Sequence, residues 1–144
     1  MEDPYRLERF VDAQDRTGAY KAAVSELRTG RKVGHWMWYV FPQVAGLGHS
    51  WMSREFAISS LAEAQAYLQH RVLGPRLIEC TRILLEINGK SASDILGAID
   101  AMKLRSSMTL FMSAAPDEAV FRDVLETYFQ GSPDQETVAR LVVA

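Results

Sequence analysis

A chain of 144 residues is long enough to bury one hydrophobic core, and 48% hydrophobic with 24% charged residues is the composition of a folded globular protein, not a disordered one. The formal net charge of -2 comes from 16 basic and 18 acidic residues spread along the chain, which excludes the concentrated basic surface that non-specific nucleic-acid binding requires. Cys80 is the only cysteine, so no internal disulfide can form.

These bounds predict a single domain over residues 1–144. The first residues are acidic and lack the basic and apolar regions of a signal peptide. No apolar run approaches the ~18–20 residues that a membrane span needs. We therefore expect a soluble cytoplasmic protein with no nucleic-acid partner and no membrane partner, and the sequence leaves its oligomeric state open.

Apolar residues spaced three and four apart predict two helices near the N-terminus. The first spans residues 4–15, with Asp3 as its N-cap and Pro4 in its first turn. The second carries the apolar stripe of residues 20–27. It ends near Gly30, where a glycine followed by cations suits a helix C-terminus.

Helical spacing returns after residue 59. Ser60 and Glu63 have the spacing of a capping box, which starts a helix that runs to about His70. The stripe of residues 73–85 follows, and we expect it to form the strongest core helix because its apolar positions are the most regular.

The C-terminal third predicts four further helical segments. Ser91 caps a short helix, and a helical segment through residues 108–112 follows. Residues 117–129 place their apolar side chains on one broad face. Ser132 opens a last helix with a second capping box. The predicted buried side of that helix comprises Val138, Leu141 and Val142.

Residues 33–51 break every helical pattern. The only candidate strand, residues 36–41, is large and apolar at both odd and even positions, and one short strand does not make a sheet. The sequence therefore predicts an all-α protein. We expect a compact single-domain bundle of about six to eight short helices, with an aromatic-rich irregular segment near residues 33–51.

This aromatic-rich segment is also the first candidate site. It holds all three tryptophans and two of the three histidines. One alternative is that the rings pack in the core, where aromatic side chains contribute most of their buried area. The other is that they form a wall that stacks a planar ligand, with His35 and Gln43 as hydrogen-bonding groups at its edge. The rings concerned are Trp36, Trp38, Tyr39, Phe41 and Trp51.

The second candidate site is the run Lys103-Leu104-Arg105-Ser106-Ser107. If Ser106 or Ser107 begins a helix, free backbone N–H groups, the hydroxyls and Arg105 converge on an anion such as phosphate or carboxylate. The alternative is a solvated cationic turn with a serine N-cap. We hypothesise that these cations share one pocket with His35 and Gln43.

The other reactive side chains give no specific pattern. The spacing of His35, His49 and His70 matches no set of metal ligands, so we predict neither a metal nor a cofactor. His70 closes a helix, where a cation interacts favourably with the helix dipole. Cys80 lies on the apolar stripe of its helix, which favours a buried and inert thiol.

Carboxylates offer an acid/base alternative. Arg54 and Glu55 are adjacent, and an ordinary surface ion pair is the simplest interpretation. An acid/base role would require a desolvated Glu55 with a second carboxylate, such as Glu63 or Asp100, close to it.

Several stretches resemble one known family. They are Gly34–Gln43, Gly46–Gly48, Leu61–Leu68 and Lys103–Phe111. Together they resemble the domain-of-unknown-function family 1810, small bacterial proteins sometimes labelled calpastatin-like, over nearly the whole chain. The resemblance implies an all-helical single domain and no established activity or catalytic residues. Calpain inhibitors of that kind are long, polar and disordered, whereas this chain has the periodicity of a compact bundle, so we do not adopt the label.

Three classes of function remain. The one we expect is a binding module that holds a small anionic ligand, such as a nucleotide, an ADP-ribose-like molecule or an acidic peptide. An enzyme is the alternative, for instance a hydrolase acting on such a ligand through Glu55, Glu63 or Asp100. The third is a protein-interaction domain that uses an exposed aromatic patch. The predicted ligand-binding residues are His35, Trp36, Trp38, Tyr39, Gln43, Lys103, Arg105, Ser106 and Ser107.

Overall fold

The computed structural model describes residues 2–143, except for the side chain of Val143. Its helices, in chain order, are α1 (Glu8–Asp15), α2 (Ala19–Thr29), α3 (Met37–Val40), α4 (Trp51–Glu55), α5 (Leu61–Gln69), α6 (Leu73–Glu86), α7 (Ala92–Leu96), α8 (Ala98–Ala114), α9 (Ala119–Phe129) and α10 (Gln135–Val143). Across this described range there is no strand, and one isolated parallel bridge joins Val44 to Ile58. The predicted all-α class is confirmed.

Seven of the helices have eight or more residues, which agrees with the predicted six to eight. The other three, α3, α4 and α7, have only four or five residues. Residues 33–51 are mostly irregular as predicted, and the candidate strand at residues 36–41 is instead the single helical turn of α3. None of the helices within residues 2–143 combines the length and the apolar character that crossing a bilayer would require.

Helix α1 begins four residues later than predicted. The Asp3 carboxylate accepts hydrogen bonds from the backbone N–H groups of Leu7 (2.7 Å) and Glu8 (3.0 Å). It therefore caps α1, although a turn of the chain separates Asp3 from the first residue of the helix. These bonds, chiefly the one from Glu8, hold the pKa of Asp3 below its ordinary value. Asp3 keeps its capping role, while the residues after it form the turn.

The corner between α5 and α6 requires a close approach of two backbones. A Cβ atom on Gly74 would lie 2.1 Å from the carbonyl oxygen of Leu68, so only glycine fits there. The Ser60 hydroxyl accepts from the Glu63 N–H at 3.1 Å, as predicted. The Glu63 carboxylate does not complete the capping box, because it accepts instead from the N–H and hydroxyl of Ser59.

Helix α8 is the largest departure from the sequence prediction. It runs unbroken for 17 residues from Ala98, so residues 103–107 lie inside it and not at a helix start. The Ser106 hydroxyl donates to the carbonyl oxygen of Met102 (3.2 Å), and the Thr109 hydroxyl donates to that of Arg105 (2.8 Å). Such bonds to the preceding turn allow serine and threonine within a buried helix. The predicted helix-start anion site is therefore wrong.

The core surrounds α8, which packs against α5, α7, α9 and α10. A chain of aromatic contacts crosses it, with ring centroids 5.1 Å apart for Phe10 and Tyr67, 5.3 Å for Tyr67 and Phe111, and 5.8 Å for Phe111 and Phe121. Helix α6 packs against α2, α5 and α9, and its Leu84 is fully buried. The predicted role of α6 as a core helix is confirmed.

Helix α10 begins differently from the prediction. Its cap is Asp134, whose Oδ2 accepts from the N–H (2.9 Å) and the hydroxyl (2.5 Å) of Thr137. Ser132, the predicted cap, instead accepts from the guanidinium of Arg105. Thr137 is buried, whereas Val142, predicted on the buried side, is 79% exposed because it lies on the solvent side of this last helix.

Candidate functional site

The segment that precedes α3 is held by one carboxylate. Glu26 Oε1 accepts from the N–H groups of Val33 (2.7 Å) and Gly34 (2.9 Å) and from Trp36 Nε1 (2.9 Å). Partial burial raises the pKa of Glu26, but these three bonds outweigh that effect and keep it below its ordinary value. Trp36 is buried, so this ring belongs to the core.

Two lysines share the carboxylate of Asp100. Its Oδ2 lies 2.8 Å from Lys32 Nζ and its Oδ1 lies 3.1 Å from Lys103 Nζ. Burial raises the pKa of Asp100, but the two ammonium groups outweigh it and hold the pKa below its ordinary value. Lys103 Nζ also lies 3.9 Å from the ring centroid of Trp38, in a cation–π contact. The ammonium of Lys103 is thus fixed on the indole face.

Lys103 and Trp38 line an open cleft of about 280 Å³. The cleft lies between residues 43–56, α8 and the start of α10. Its walls are mainly apolar, which is the usual character of small-molecule sites. The apolar wall residues are Val44, Leu47, Phe56, Ile99 and Met102. We call this feature the cleft.

The lining of the cleft also includes two carboxylates, Asp134 and Glu136, at the start of α10. The Asp134 N–H donates to the Thr109 hydroxyl at 2.9 Å, which ties the start of α10 to α8. Glu136 pairs with Arg140 at 3.0 Å. Arg140 in turn lies against Gly46, where a Cβ atom would come within 2.2 Å of its guanidinium, so α10 also contacts the aromatic-rich segment.

The structure brings four of the predicted ligand-binding residues together in the cleft. They are Trp38, Gln43, Lys103 and Ser106. Gln43 is fixed by its backbone, since its carbonyl accepts from the Ile58 N–H at 2.8 Å. The aromatic-rich segment and the serine run therefore do meet, although α8 presents the side of a helix and not its N-terminus.

The other five predicted residues do not line the cleft. Trp36 and Ser107 are buried, and His35 is exposed outside the cleft. Tyr39 packs on a neighbouring aromatic ring. Arg105 donates to the carbonyl and hydroxyl oxygens of the Ser132 residue, at 2.8 and 2.6 Å. The hypothesis of one pocket shared by His35, Gln43 and both cations is therefore wrong for His35 and Arg105.

The three candidate catalytic carboxylates also lie outside the cleft lining. Glu55 pairs with Arg6 at 3.3 Å, and Glu63 pairs with Arg9 at 3.1 Å in a buried contact. Asp100 is bound by two lysines, as described above. Each of these carboxylates has a structural partner that explains its position.

Further sequence predictions can be compared with the structure. Arg54 does not pair with Glu55, because its guanidinium donates to the carbonyl of His49 at 2.7 Å. His70 lies at the end of α5, with Nε2 at 2.9 Å from a carboxylate oxygen of Glu8. Cys80 is buried as predicted, and burial raises the pKa of its thiol to about 12. Over the described range, no three histidine, cysteine or acidic side chains converge as metal ligands would.

The sequence reasoning missed both carboxylates of the cleft and its two α8 wall residues. Ile99 and Met102 are three residues apart on one helix face, and both are exposed apolar side chains. Once α8 is known to begin at Ala98, that spacing predicts that the two side chains are neighbours on the helix surface. Asp134 precedes Thr137 by three residues, which is the spacing between an N-cap and the residue whose backbone N–H donates to it.

These observations define an all-helical domain with a candidate ligand cleft whose lining includes Lys103 and the carboxylates of Asp134 and Glu136. The chain belongs to the DUF1810 family, described as proteins of unknown function, whose family model matches residues 4–141. The crystal structure of the conserved hypothetical protein Rv1873 from Mycobacterium tuberculosis is similar, with a TM-score of 0.95 and 51% identity over 99% of this chain and 100% of that one. A comparison with curated proteins finds no match. The family resemblance and the helical fold are thereby confirmed.

Proposed function

We propose that the protein is a binding module for a small ligand whose anionic group pairs with Lys103 in the cleft. The observation that carries this proposal is that the Lys103 ammonium is partly exposed and has unused hydrogen-bond donors. Its side chain is 19% exposed, and within residues 2–143 it donates one hydrogen bond, to Asp100. An ammonium has three N–H donors, so Lys103 retains donors for a ligand.

The surroundings of Lys103 support the same proposal. Ser53, Ser106 and Gln43 line the same cleft and add neutral hydrogen-bonding groups. Because Trp38 and Asp100 already position the ammonium, a ligand would lose little free energy in ordering it.

The charged residues that line the cleft restrict the class of ligand that can bind there. Asp134 and Glu136 in the lining would repel a second phosphate group, and one face of Trp38 is already covered by Lys103. We therefore favour a ligand with one anionic group and an apolar remainder over the nucleotide or ADP-ribose-like molecule that the sequence suggested.

Isothermal titration of hexanoate, inorganic phosphate and ADP would test the proposal. We expect hexanoate to bind the wild type most tightly of the three. The Lys103→Gln variant should bind it at least about tenfold more weakly, because a hydrogen bond to a charged group contributes ~1.5–3 kcal/mol. Arg122→Gln, which removes the same charge from an exposed position on α9, should bind like the wild type.

Melting temperatures of the variants separate binding from folding. Lys103→Gln should remain folded, because Lys32 still neutralises Asp100. If none of the three anions binds the wild type, or if the two variants lose affinity equally, Lys103 is not a ligand-binding residue.

Protein interaction is a second candidate function, and one observation favours it. Trp51, in the aromatic-rich segment, is 67% exposed, whereas such rings are normally packed. A pull-down that compares the wild type with Trp51→Ser would test it. Equal recovery of every partner by both proteins would remove this candidate.

A further inference from the structure

We infer that Lys32, which does not line the cleft, gives the cleft its preference for an anionic ligand by neutralising Asp100. This inference rests on the proposed function and deepens it, because it assigns a residue that acts on the ligand through Lys103. Lys32 is thus a positioning residue and makes no contact with the ligand itself.

Lys32 is anchored by residues outside the cleft. Its backbone N–H donates to the carbonyl of Ile95 at 2.7 Å. Its Nζ donates to the carbonyl of Gly34 at 2.6 Å and lies 5.2 Å from the ring centroid of Trp36. The side chain is only 9% exposed. These contacts hold the ammonium of Lys32 at Asp100 without involving a residue that lines the cleft.

The carboxylate of Asp100 is divided between two lysines. Its Oδ2 lies 2.8 Å from Lys32 Nζ, and its Oδ1 lies 3.1 Å from Lys103 Nζ. Two ammonium groups and one carboxylate leave this cluster with a formal net charge of +1. Without Lys32, Lys103 and Asp100 would form a neutral ion pair, which attracts an anion much less strongly. The positive charge that a ligand meets at Lys103 therefore depends on Lys32.

A second carboxylate, that of Glu26, also interacts with the charge of Lys32. Its hydrogen-bond partners in the segment before α3 are N–H groups and do not include Lys32. Substitutions at Lys32 and Asp100 leave these bonds in place. A comparison of variants at the two positions therefore measures the charges of Lys32 and Asp100, while that of Glu26 stays constant.

The distance from Lys32 to the ligand sets the size of the effect. An anion bonded to Lys103 lies at most about 11 Å from Lys32 Nζ, following the contacts through Asp100. With an effective dielectric constant between that of a protein surface and that of water, a unit charge at this distance changes an affinity by about threefold to tenfold.

The experiment is an NMR titration of four proteins with hexanoate and with hexanamide, its neutral analogue. The formal charge of the cluster is +1 in the wild type, 0 in Lys32→Met, +2 in Asp100→Asn and +1 in the double variant. Lys103 keeps its contact with Trp38 in all four.

We expect the affinity for hexanoate to follow these charges. Asp100→Asn should bind it most tightly, the wild type and the double variant equally, and Lys32→Met most weakly, with about threefold to tenfold between successive levels. Hexanamide should bind all four proteins alike, because it carries no charge. Lys21→Met, which removes the same charge from an exposed position on α2, should bind hexanoate like the wild type.

A merely structural role of Lys32 gives a different pattern. Lys32→Met would then lose hexanoate and hexanamide binding alike, and adding Asp100→Asn would not restore either. That pattern overturns the inference, as does an Asp100→Asn variant that binds hexanoate no more tightly than the wild type.

Failure of this inference can be distinguished from failure of the proposed function. If Lys103→Gln weakens hexanoate binding and Lys32→Met does not, the anion site at Lys103 stands and the role of Lys32 is wrong. If hexanoate does not bind the wild type, the proposed function fails and this inference fails with it.

Discussion

Replacing Arg9 by methionine should destabilise the fold strongly without involving the cleft. The Arg9 guanidinium donates to the carbonyls of Glu55 (2.7 Å) and Ala57 (2.8 Å) and to the carboxylate of Glu63 (3.1 Å). The side chains of Arg9 and Glu63 are only 11% and 4% exposed. The guanidinium also lies 4.3 Å from the ring centroid of Phe10. Arg9 thus connects α1 to the end of α4, to the residues that follow it and to α5.

The size of the effect follows from what the substitution leaves behind. Methionine keeps apolar contact with Phe10, so the change isolates the loss of the charge and its donors. Glu63 then retains Ser59 as its side-chain partner, and four backbone carbonyls lose Arg9 as a donor. Breaking a buried pair on one side costs ~3–5 kcal/mol. For a chain of this length, that corresponds to a fall in Tm of roughly 10–20 °C.

Urea denaturation followed by far-ultraviolet circular dichroism measures this loss. Arg6→Met is the matched control, because Arg6 also pairs with a glutamate but is 67% exposed; it should cost ~0–1 kcal/mol. The double variant Arg9→Met with Glu63→Gln should lose less than the sum of its single variants, since no charge is left unpaired. If Arg9→Met is as stable as Arg6→Met, the buried pair does not hold the fold.

Two further predictions concern stability. Leu84 is fully buried on α6, so Leu84→Ala should cost ~2–5 kcal/mol in urea denaturation, and a change near zero would contradict its place in the core. The pKa values of Glu26 and Asp100 are lowered in the folded protein, so the unfolded chain binds more protons near their ordinary pKa of about 4. Stability should therefore fall as the pH is lowered from about 5 to about 3, and Asp100→Asn should reduce that dependence; equal slopes for the variant and the wild type would contradict it.

Helices whose burial is periodic could be predicted from the sequence, and α6 shows why. The spacing of its apolar residues is a local property of the sequence. It predicts which face of α6 is buried without knowledge of the helices that pack against it. Helix α8 could not be predicted in the same way. Serine is a preferred N-cap residue, so Ser106 and Ser107 suggest that a helix begins where α8 in fact continues. Burial between several other helices, together with hydroxyl bonds to the preceding turn, overrides that local preference.

Part of the cleft could be predicted from the sequence, and the rest could not. Trp38, Gln43 and Lys103 were identified as polar or aromatic residues within apolar surroundings, and the fold places them together. Asp134 carried no comparable signal. Its position depends on one tertiary hydrogen bond to Thr109, between residues 25 apart in the chain, which no local pattern reveals.

Arg9 and Lys103 show how a structural cation differs from one with capacity for a ligand. Each is largely buried, paired with a carboxylate and placed beside an aromatic ring. Arg9 makes five hydrogen bonds within the protein, which is the full number of donors of a guanidinium. Within residues 2–143, Lys103 makes one hydrogen bond, and it lines an open cleft. Loss of Arg9 should therefore lower stability whether or not a ligand is present, whereas loss of Lys103 should lower ligand affinity with little change in Tm. If loss of Arg9 lowered only ligand affinity, or loss of Lys103 lowered only Tm, the number of unused hydrogen-bond donors would not identify a ligand-binding cation.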